Sequence, residues 1–200
     1  MPFLIQNSAS TAKETKKGSI IITDKVSGYR KYVVIFLLFV ALDQFSKMAI
    51  RHLFAHTADT TLPIFGNFFR FTLVKNQGAV FGINPQMGNF TNIVFIIASI
   101  IASGIIFFLF IKNDNSIARF SFTLILSGAV GNLIDRISFG KVTDFLDVDF
   151  FNISLGNWHI ERWYVFNIAD SCIVIGVILL IIYYLFVEQP AKSKEIMEKE

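Results

Sequence analysis

The chain has 200 residues, 54% of them hydrophobic and only 16% charged, with a mean hydropathy of +0.57. A soluble domain carries about 25% charged residues; here the deficit is concentrated in long apolar blocks, which argues against a soluble core and for membrane spans. The modest net charge of +3 argues against nucleic acid as a partner, and the single cysteine, Cys172, excludes an internal disulfide scaffold.

Residues 1–31 are mostly polar and carry Lys13, Lys16, Lys17, Lys25, Arg30 and Lys31. The opening M-P-F-L-I is too short for a signal-peptide core and no small-residue cleavage site follows it. The stretch reads as a disordered basic arm on the cytoplasmic side. A first span is expected over 32–50, close to the roughly 20 residues a helix needs to cross a bilayer. In its last third, D-Q-F-S-K puts Asp43 and Lys47 at i and i+4 on one helix face, where they can pair. Two readings stand: a salt bridge that makes both charges tolerable near the interface, or a support for a site or a lipid headgroup contact.

Residues 51–89 are too mixed to span. F-F-R-F-T-L-V-K at 68–75 is rich in aromatic and β-branched residues, as strands are. Pro63, Gly66, Gly78, Gly82 and Pro85 punctuate the segment as turns would. A small sheet lying on the membrane surface is expected, with Asn76 and Gly78 in the turn-like K-N-Q-G-A-V-F-G. Further spans are expected over 90–111, where Gly104 and small neighbours permit close helix packing, over 117–135 after the polar K-N-D-N-S, and over 168–187. Residues 136–167 form a second outer segment, and 188–200 a charged cytoplasmic tail. Many of the 23 phenylalanines suit lipid-facing surface, and Cys172 reads as a small core residue. Lysine and arginine concentrate in the arm, at Lys112 and Arg119, and in the tail, which places both termini in the cytoplasm. That orientation gathers every polar cluster of the spans on the outer side.

The three runs S-G-A-V-G-N-L-I-D-R (127–136), V-T-D-F (142–145) and F-N-I-A-D-S (166–171) hold three aspartates (Asp135, Asp144, Asp170), two asparagines (Asn132, Asn167) and Arg136, within or beside apolar stretches. An ionisable group at membrane depth is expensive and is a functional candidate by default. Asn132 and Arg136 share a helix face. Asp135 reads as a helix-end charge that snorkels to water. Asp144 lies just past Gly140, an expected helix stop. Asp170 opens the last span, where the helix dipole alone would favour a carboxylate. Asp147 and Asp149 read as solvated loop charges. Two aspartates brought close at a partly dry site cannot both ionise easily, so the pair Asp144 and Asp170 would share one proton. The charged member can take a proton from water; the neutral one can hydrogen-bond a scissile carbonyl and protonate the leaving amine. That is peptide hydrolysis with no metal, cofactor or covalent intermediate.

Other chemistries fit poorly. There is no H-E-x-x-H, and His52, His56 and His159 are scattered, so no zinc site is expected. No serine sits in a G-x-S-x-G elbow; those of A-S-G and L-S-G read as helix-packing residues. An ion- or proton-coupled carrier would spread its charges through the bilayer, and inverted repeats with broken midplane helices are not evident. A non-enzymatic scaffold would not need two aspartates near each other.

Five blocks, in order, resemble the lipoprotein signal peptidase (signal peptidase II) family: D-Q-F-S-K at Asp43, K-N-Q-G-A-V-F-G around Asn76, G-N-L-I-D-R-I at Gly131, V-T-D-F at Val142 and F-N-I-A-D-S at Phe166. They cover most of 32–187. The resemblance implies an all-α membrane protein of four transmembrane helices with a small periplasmic β-sheet or cradle. It implies a membrane aspartyl endopeptidase of the bacterial inner membrane that removes the signal peptide from lipid-modified prolipoproteins near the periplasmic face, cutting before the diacylglyceryl-cysteine. The catalytic pair would be Asp144 and Asp170, with Asp43, Lys47, Asn76, Gly78, Asn132, Arg136 and Asn167 supporting the site or contacting substrate. A monomer in contact with membrane lipids is expected, with globomycin-type inhibitors in the same site. Two stretches, the arm and 148–165, look longer than usual for the family, and the second would hang over the site.

Overall fold

The computed structural model describes the backbone of residues 3–78, 89–149, 153–155, 158–160 and 164–189, with side chains over 28–78, 90–149 and 164–189. Among these residues four helical stretches are long and apolar enough to cross a membrane. They are Gly28–Leu53 within α1 (Phe3–Leu53), Phe90–Lys112 within α2 (Asn89–Lys112), α3 (Ser116–Phe139), and Ile168–Glu188, which is α4 (Ile168–Tyr183) continued by a π-helical turn over Tyr184–Glu188. The chain is a multi-pass membrane protein. The backbone of α1 starts at Phe3, through the stretch expected to be irregular; no proline between Pro2 and Pro63 interrupts it.

The helix α3 is the one the others pack around. Over its apolar window 56% is buried against protein, whereas α2 buries 6% and presents the rest outward. Asn115 caps the start of α3, its side chain accepting from the backbone of Ile117 and Ala118. The helix runs past the expected end at 135 to Phe139. There Gly140 takes φ 71°, a left-handed conformation that suits glycine, and its N–H donates to the Arg136 carbonyl at 3.0 Å. Close approach of α3 and α4 depends on small residues. A methyl group on Gly128 would run into the carbonyl oxygen of Ala169 and the side chain of Ile173, and one on Gly176 would lie 2.8 Å from the Ser121 carbonyl. Ser127, of the L-S-G run, donates to the Thr123 carbonyl within α3 at 2.7 Å, so it is a packing residue there.

Two apolar clusters mark the two ends of the bundle. Tyr32, Phe110, Phe122 and Tyr183 form one. Ile50, Phe54 and Phe145 form the other, with Phe71, Leu73 and Ile168 packed on it. An apolar recess of about 410 Å³ lies among Tyr32, Phe36, Phe107, Phe110, Leu126 and Val130. Val130 is two residues from Asn132, roughly 200° around α3, so this recess and the polar face of α3 point apart.

A three-stranded antiparallel sheet covers the second end, in the order β1 (Thr61–Phe65), β2 (Phe69–Asn76), β3 (Val142–Val148). The expected strand at 68–75 is β2. Strand β3 is a correction: its residues read as chain beyond a helix end, because aspartate is a poor strand former and its partner β2 is distant in sequence. Backbone bonds hold β3 on its other side too, with Leu146 N–H donating to Phe166 O at 2.7 Å and Phe166 N–H to Leu146 O at 3.1 Å. Asp147 is a second correction. It is buried, opposite Arg70 in the ladder, and its Oδ2 accepts from Arg70 Nε at 3.0 Å, Arg70 Nη2 at 2.8 Å and Thr72 Oγ1 at 2.7 Å. Register supplied the partners that let a carboxylate leave water. Within 148–165 the backbone forms a second ladder, β4 (Ile153–Leu155) with β5 (Trp158–Ile160); residues 150–152, 156–157 and 161–163 lie outside the described residues, so the expected overhang is not described.

Gly128→Ala should therefore push α3 and α4 apart and lower stability by about 1–3 kcal/mol, as overpacking does. Gly104, expected from the sequence to be a close-packing position, has nothing within 4 Å of an added methyl, so Gly104→Ala is the control and should not lower the thermal midpoint in detergent.

Candidate active site

The polar end of the bundle is built outward from Asn167. This residue is the N-cap of α4, and with Asp170 it forms a reciprocal capping box. Asp170 N–H donates to Asn167 Oδ1 at 2.9 Å, and Asn167 N–H donates to Asp170 Oδ2 at 3.1 Å. Its neighbour Phe166 is the residue tied to β3. The start of α4 and the middle of β3 are thereby placed side by side, and the Asn167 amide Nδ2 donates across to Asp144 Oδ1 at 2.7 Å. One residue thus binds both carboxylates, Asp144 by its side chain and Asp170 by its backbone.

Each aspartate has a second amide. Asn76, at the end of β2, donates to Asp144 Oδ2 at 2.9 Å, and Asn132, on α3, donates to Asp170 Oδ1 at 2.7 Å. The orientation of each amide is set by what its oxygen accepts. Asn76 Oδ1 accepts the Gly78 N–H at 2.7 Å, a local turn in which Gly78 has φ 97°. Asn132 Oδ1 accepts from Lys47 Nζ at 3.0 Å and from Asn167 Nδ2 at 3.1 Å. Asp144 is almost wholly buried, at 2% exposure. Burial pushes its carboxyl up to about 6 and the negative charge of Asp170 adds to the shift, while hydrogen bonds from Asn76 and Asn167 and the charge of Lys47 oppose it.

Behind the asparagines lies a buried charge network. Lys47 Nζ sits 2.9 Å from Asp43 Oδ2 and 3.7 Å from Asp135 Oδ2, with Lys47 and Asp135 at 0% exposure. Asp43 Oδ1 in turn accepts the Ala169 N–H at 2.9 Å, one of the orphan donors in the first turn of α4. Gln44 bridges Asp43 Oδ2 and the Gly131 carbonyl, at 3.0 and 2.9 Å. Asp135 corrects the expectation of a snorkelling charge: it accepts the Thr143 N–H at 2.8 Å and contacts Arg51 Nη1 at 3.4 Å, so water is replaced by fixed donors. On the α2 side the Arg136 guanidinium stacks on Phe95, 5.1 Å from the ring centroid, and that ring packs where a Cβ on Gly78 would be.

The chain matches the family model for signal peptidase (SPase) II over residues 35–186. It belongs to the signal peptidase II family. A lipoprotein signal peptidase of Borrelia hermsii is 40% identical over 166 residues, covering 81% of this chain and 91% of that protein. The Clostridioides difficile lipoprotein signal peptidase is 38% identical, covering 80% and 99% respectively. Among solved structures, a bacterial membrane enzyme determined at 1.9 Å resolution by the in meso method superposes with a TM-score of 0.65 at 31% identity, covering 78% of this chain and 94% of that one. Membership makes the chain a protease, and the fold expected from the sequence, four spans with a small sheet, is the fold found.

Of the nine residues singled out in the sequence, Asp43, Lys47, Asn76, Asn132, Asp144, Asn167 and Asp170 form one connected hydrogen-bond network. Gly78 joins it through Asn76, and Arg136 lies at its edge, its charge within electrostatic reach of Asp170, Asp144 and Asp135. The residues 79–82 of the second block lie outside the described residues. Sequence reasoning missed Arg51, Gln44, Phe95, Asp135 and Thr143. Two carried a usable signal: Arg51 is i+4 from Lys47, and Asp135 is i+3 from Asn132, each on the face already marked as polar. Among the described residues no group of three or more His, Cys, Asp or Glu comes together as a metal site.

Lys47→Met should leave Asp43 and Asp135 without their shared buried cation. Removing one partner of a buried ion pair costs about 3–5 kcal/mol, so the variant should unfold at markedly lower denaturant, or fail to accumulate, while a lipid-facing change such as Phe45→Leu has no such effect.

Proposed function

We propose that the protein is an aspartyl endopeptidase that removes the signal peptide from diacylglyceryl-modified prolipoproteins, cleaving before the lipidated cysteine, with Asp144 and Asp170 as the catalytic pair. The observation that carries this reading is Asn167, which holds both carboxylates at once, at the polar end of a four-helix membrane bundle. Family membership and relatives named lipoprotein signal peptidase support the substrate class.

The chemistry follows from the proton shared by the pair. The ionised aspartate accepts a proton from a water molecule as that water attacks the scissile carbonyl. The neutral aspartate donates a hydrogen bond to the carbonyl oxygen and later passes its proton to the departing amine. The bond to nitrogen breaks as the bond to the water oxygen remains, and the pair ends with one proton, as it began. Neutral amides suit this cycle, because Asn76, Asn132 and Asn167 offset the cost of the buried ionised form by hydrogen bonding without adding a fixed cation between the carboxylates. Lys47, one step back, supports Asn132 and Asn167 through the amide chain. Arg136 and Gly78 lie against Phe95 of α2 and are the residues assigned to substrate contact.

The distribution of lysine and arginine supports both termini in the cytoplasm and the active site at the periplasmic face of the inner membrane. The enzyme works as a monomer within the lipid, the arm over 1–31 and the tail over 188–200 staying cytoplasmic. A globomycin-type cyclic peptide binds at the same site. The gathering of the charges at one end of the bundle favours this reading over a carrier, which needs them across its depth.

Asp144→Asn and Asp170→Asn should each insert and fold, yet lose cleavage of a diacylated precursor peptide by a factor on the order of 10²–10⁴, the usual worth of a general acid or base. Cleavage at the normal rate by either variant would remove that residue from the mechanism, and globomycin that fails to inhibit the native protein would remove the shared inhibitor site.

The pH dependence has a defined sign. The Asp144 carboxyl is raised to about 6 partly by an ionised Asp170, so deprotonation near 6 removes the last proton from the pair. For free enzyme, kcat/KM should fall as pH rises through about 6, with that apparent value belonging to the pair. A folded value above the unfolded one also means that stability declines as pH rises through the same range. A kcat/KM that climbs through pH 6 to a plateau would contradict this ordering.

A further inference from the structure

Thr143, the residue immediately before Asp144, is contacted at three atoms by three different elements. Its N–H donates to Asp135 Oδ2 of α3 at 2.8 Å. Its Oγ1 accepts from Arg51 Nη1 of α1 at 2.9 Å. Its carbonyl lies 3.4 Å from Asn167 Nδ2, at the cap of α4, a weak third contact for an amide whose two hydrogens serve Asp144 and Asn132. Thr143 itself is buried. Backbone nitrogen and side chain are both firmly held, which restricts the chain leading into Asp144. Arg51 is held in its turn: its guanidinium lies 4.5 Å from the centroid of the Phe139 ring and the same Nη1 touches Asp135 Oδ1 at 3.4 Å.

We infer that Arg51 is a positioning residue for Asp144, acting through the Thr143 hydroxyl. The inference rests on the reading of Asp144 as catalytic. Charge balance accounts for a second cation beside Asp135, since Asp43 and Asp135 share the single ammonium of Lys47, but not for the contact with the Thr143 hydroxyl. What Arg51 adds is a rigid planar donor that ties α1, α3 and β3 at one point. Strand β3 pairs with a β2 that is irregular between Phe71 and Val74, beside the level of Asp144, so the ladder alone fixes this part of β3 less tightly than a regular one would. Peptide hydrolysis by two carboxylates depends on their mutual placement, and displacement of a catalytic group by about 1 Å is enough to slow a reaction substantially.

The test is a double-mutant cycle on the full-length protein in detergent or lipid, with a diacylated precursor peptide as substrate. Arg51→Met and Thr143→Val each remove one side of the contact. Each should lower kcat by about tenfold with KM unchanged, and the double variant should be no worse than about tenfold, because both act through one bond. Thr143→Ser, which keeps the hydroxyl, should retain native kcat. A double variant slowed by the product of the single effects, a single variant with native kcat, or a Thr143→Ser as slow as Thr143→Val would overturn the inference. If Arg51→Met does not fold, the Val and Ser variants at 143 decide the question by themselves. Asp144→Asn in the same assay separates the two levels: retained cleavage there defeats the functional reading, whereas its loss beside a native Arg51→Met defeats only this proposal.

Discussion

Two carboxylates that repel each other, one of them almost wholly out of water, set the terms for the rest of this structure. A cation placed between them would hold both ionised. The molecule instead surrounds them with side-chain amides: Asn76 and Asn167 on Asp144, Asn132 and the Asn167 backbone on Asp170. Amide dipoles lower the cost of a buried charge without fixing its value, which leaves the Asp144 carboxyl free to titrate near 6. The Lys47 ammonium hydrogen-bonds Asn132, which in turn donates to Asp170.

The amides in turn need support, and this explains why so much of α1 and α3 is committed at one end. Asn132 and Asn167 are aimed by Lys47 and by each other, Lys47 is neutralised by Asp43 and Asp135, and Asp43 closes the circuit by capping α4. A buried ion pair seldom adds net stability over an apolar substitute, but breaking one leaves an uncompensated charge. The network is best understood as a device for orientation, stabilised by apolar packing around it. That packing comes from Ile50, Phe54 and Phe145 beneath the sheet and from the close α3–α4 contact that Gly128 and Gly176 permit. Elsewhere the helices meet lipid, as the exposed Phe45, Phe107, Phe108 and Phe186 indicate.

The sheet has a specific part in this arrangement. Strand β3 carries Asp144 between two neighbours, β2 on one side and Phe166 on the other, and each neighbour delivers an asparagine to the same carboxylate. The cap of α4 then delivers Asp170. Secondary structure therefore does the coarse alignment, through ladder bonds, and side chains only the last few ångströms.

The location of the spans was legible in the sequence because hydropathy is a local property: about 20 apolar residues cannot be hidden by what happens elsewhere. The pairing of Asp43 with Lys47 was legible for a similar reason, since i and i+4 on a helix meet whatever the fold. The candidate pair itself was named through linked motifs. What the amino-acid order could not convey was burial that depends on distant partners. Asp135 and Asp147 look like surface charges when read locally. They are buried because Thr143, Arg51 and Arg70 reach them, Arg70 across 77 positions and Arg51 across 84. The strand character of 142–148 and the grip on Thr143 belong to the same class. Local sequence determined which segments enter the membrane and which charges they carry; only the tertiary structure decided which of those charges find enough fixed donors to leave water.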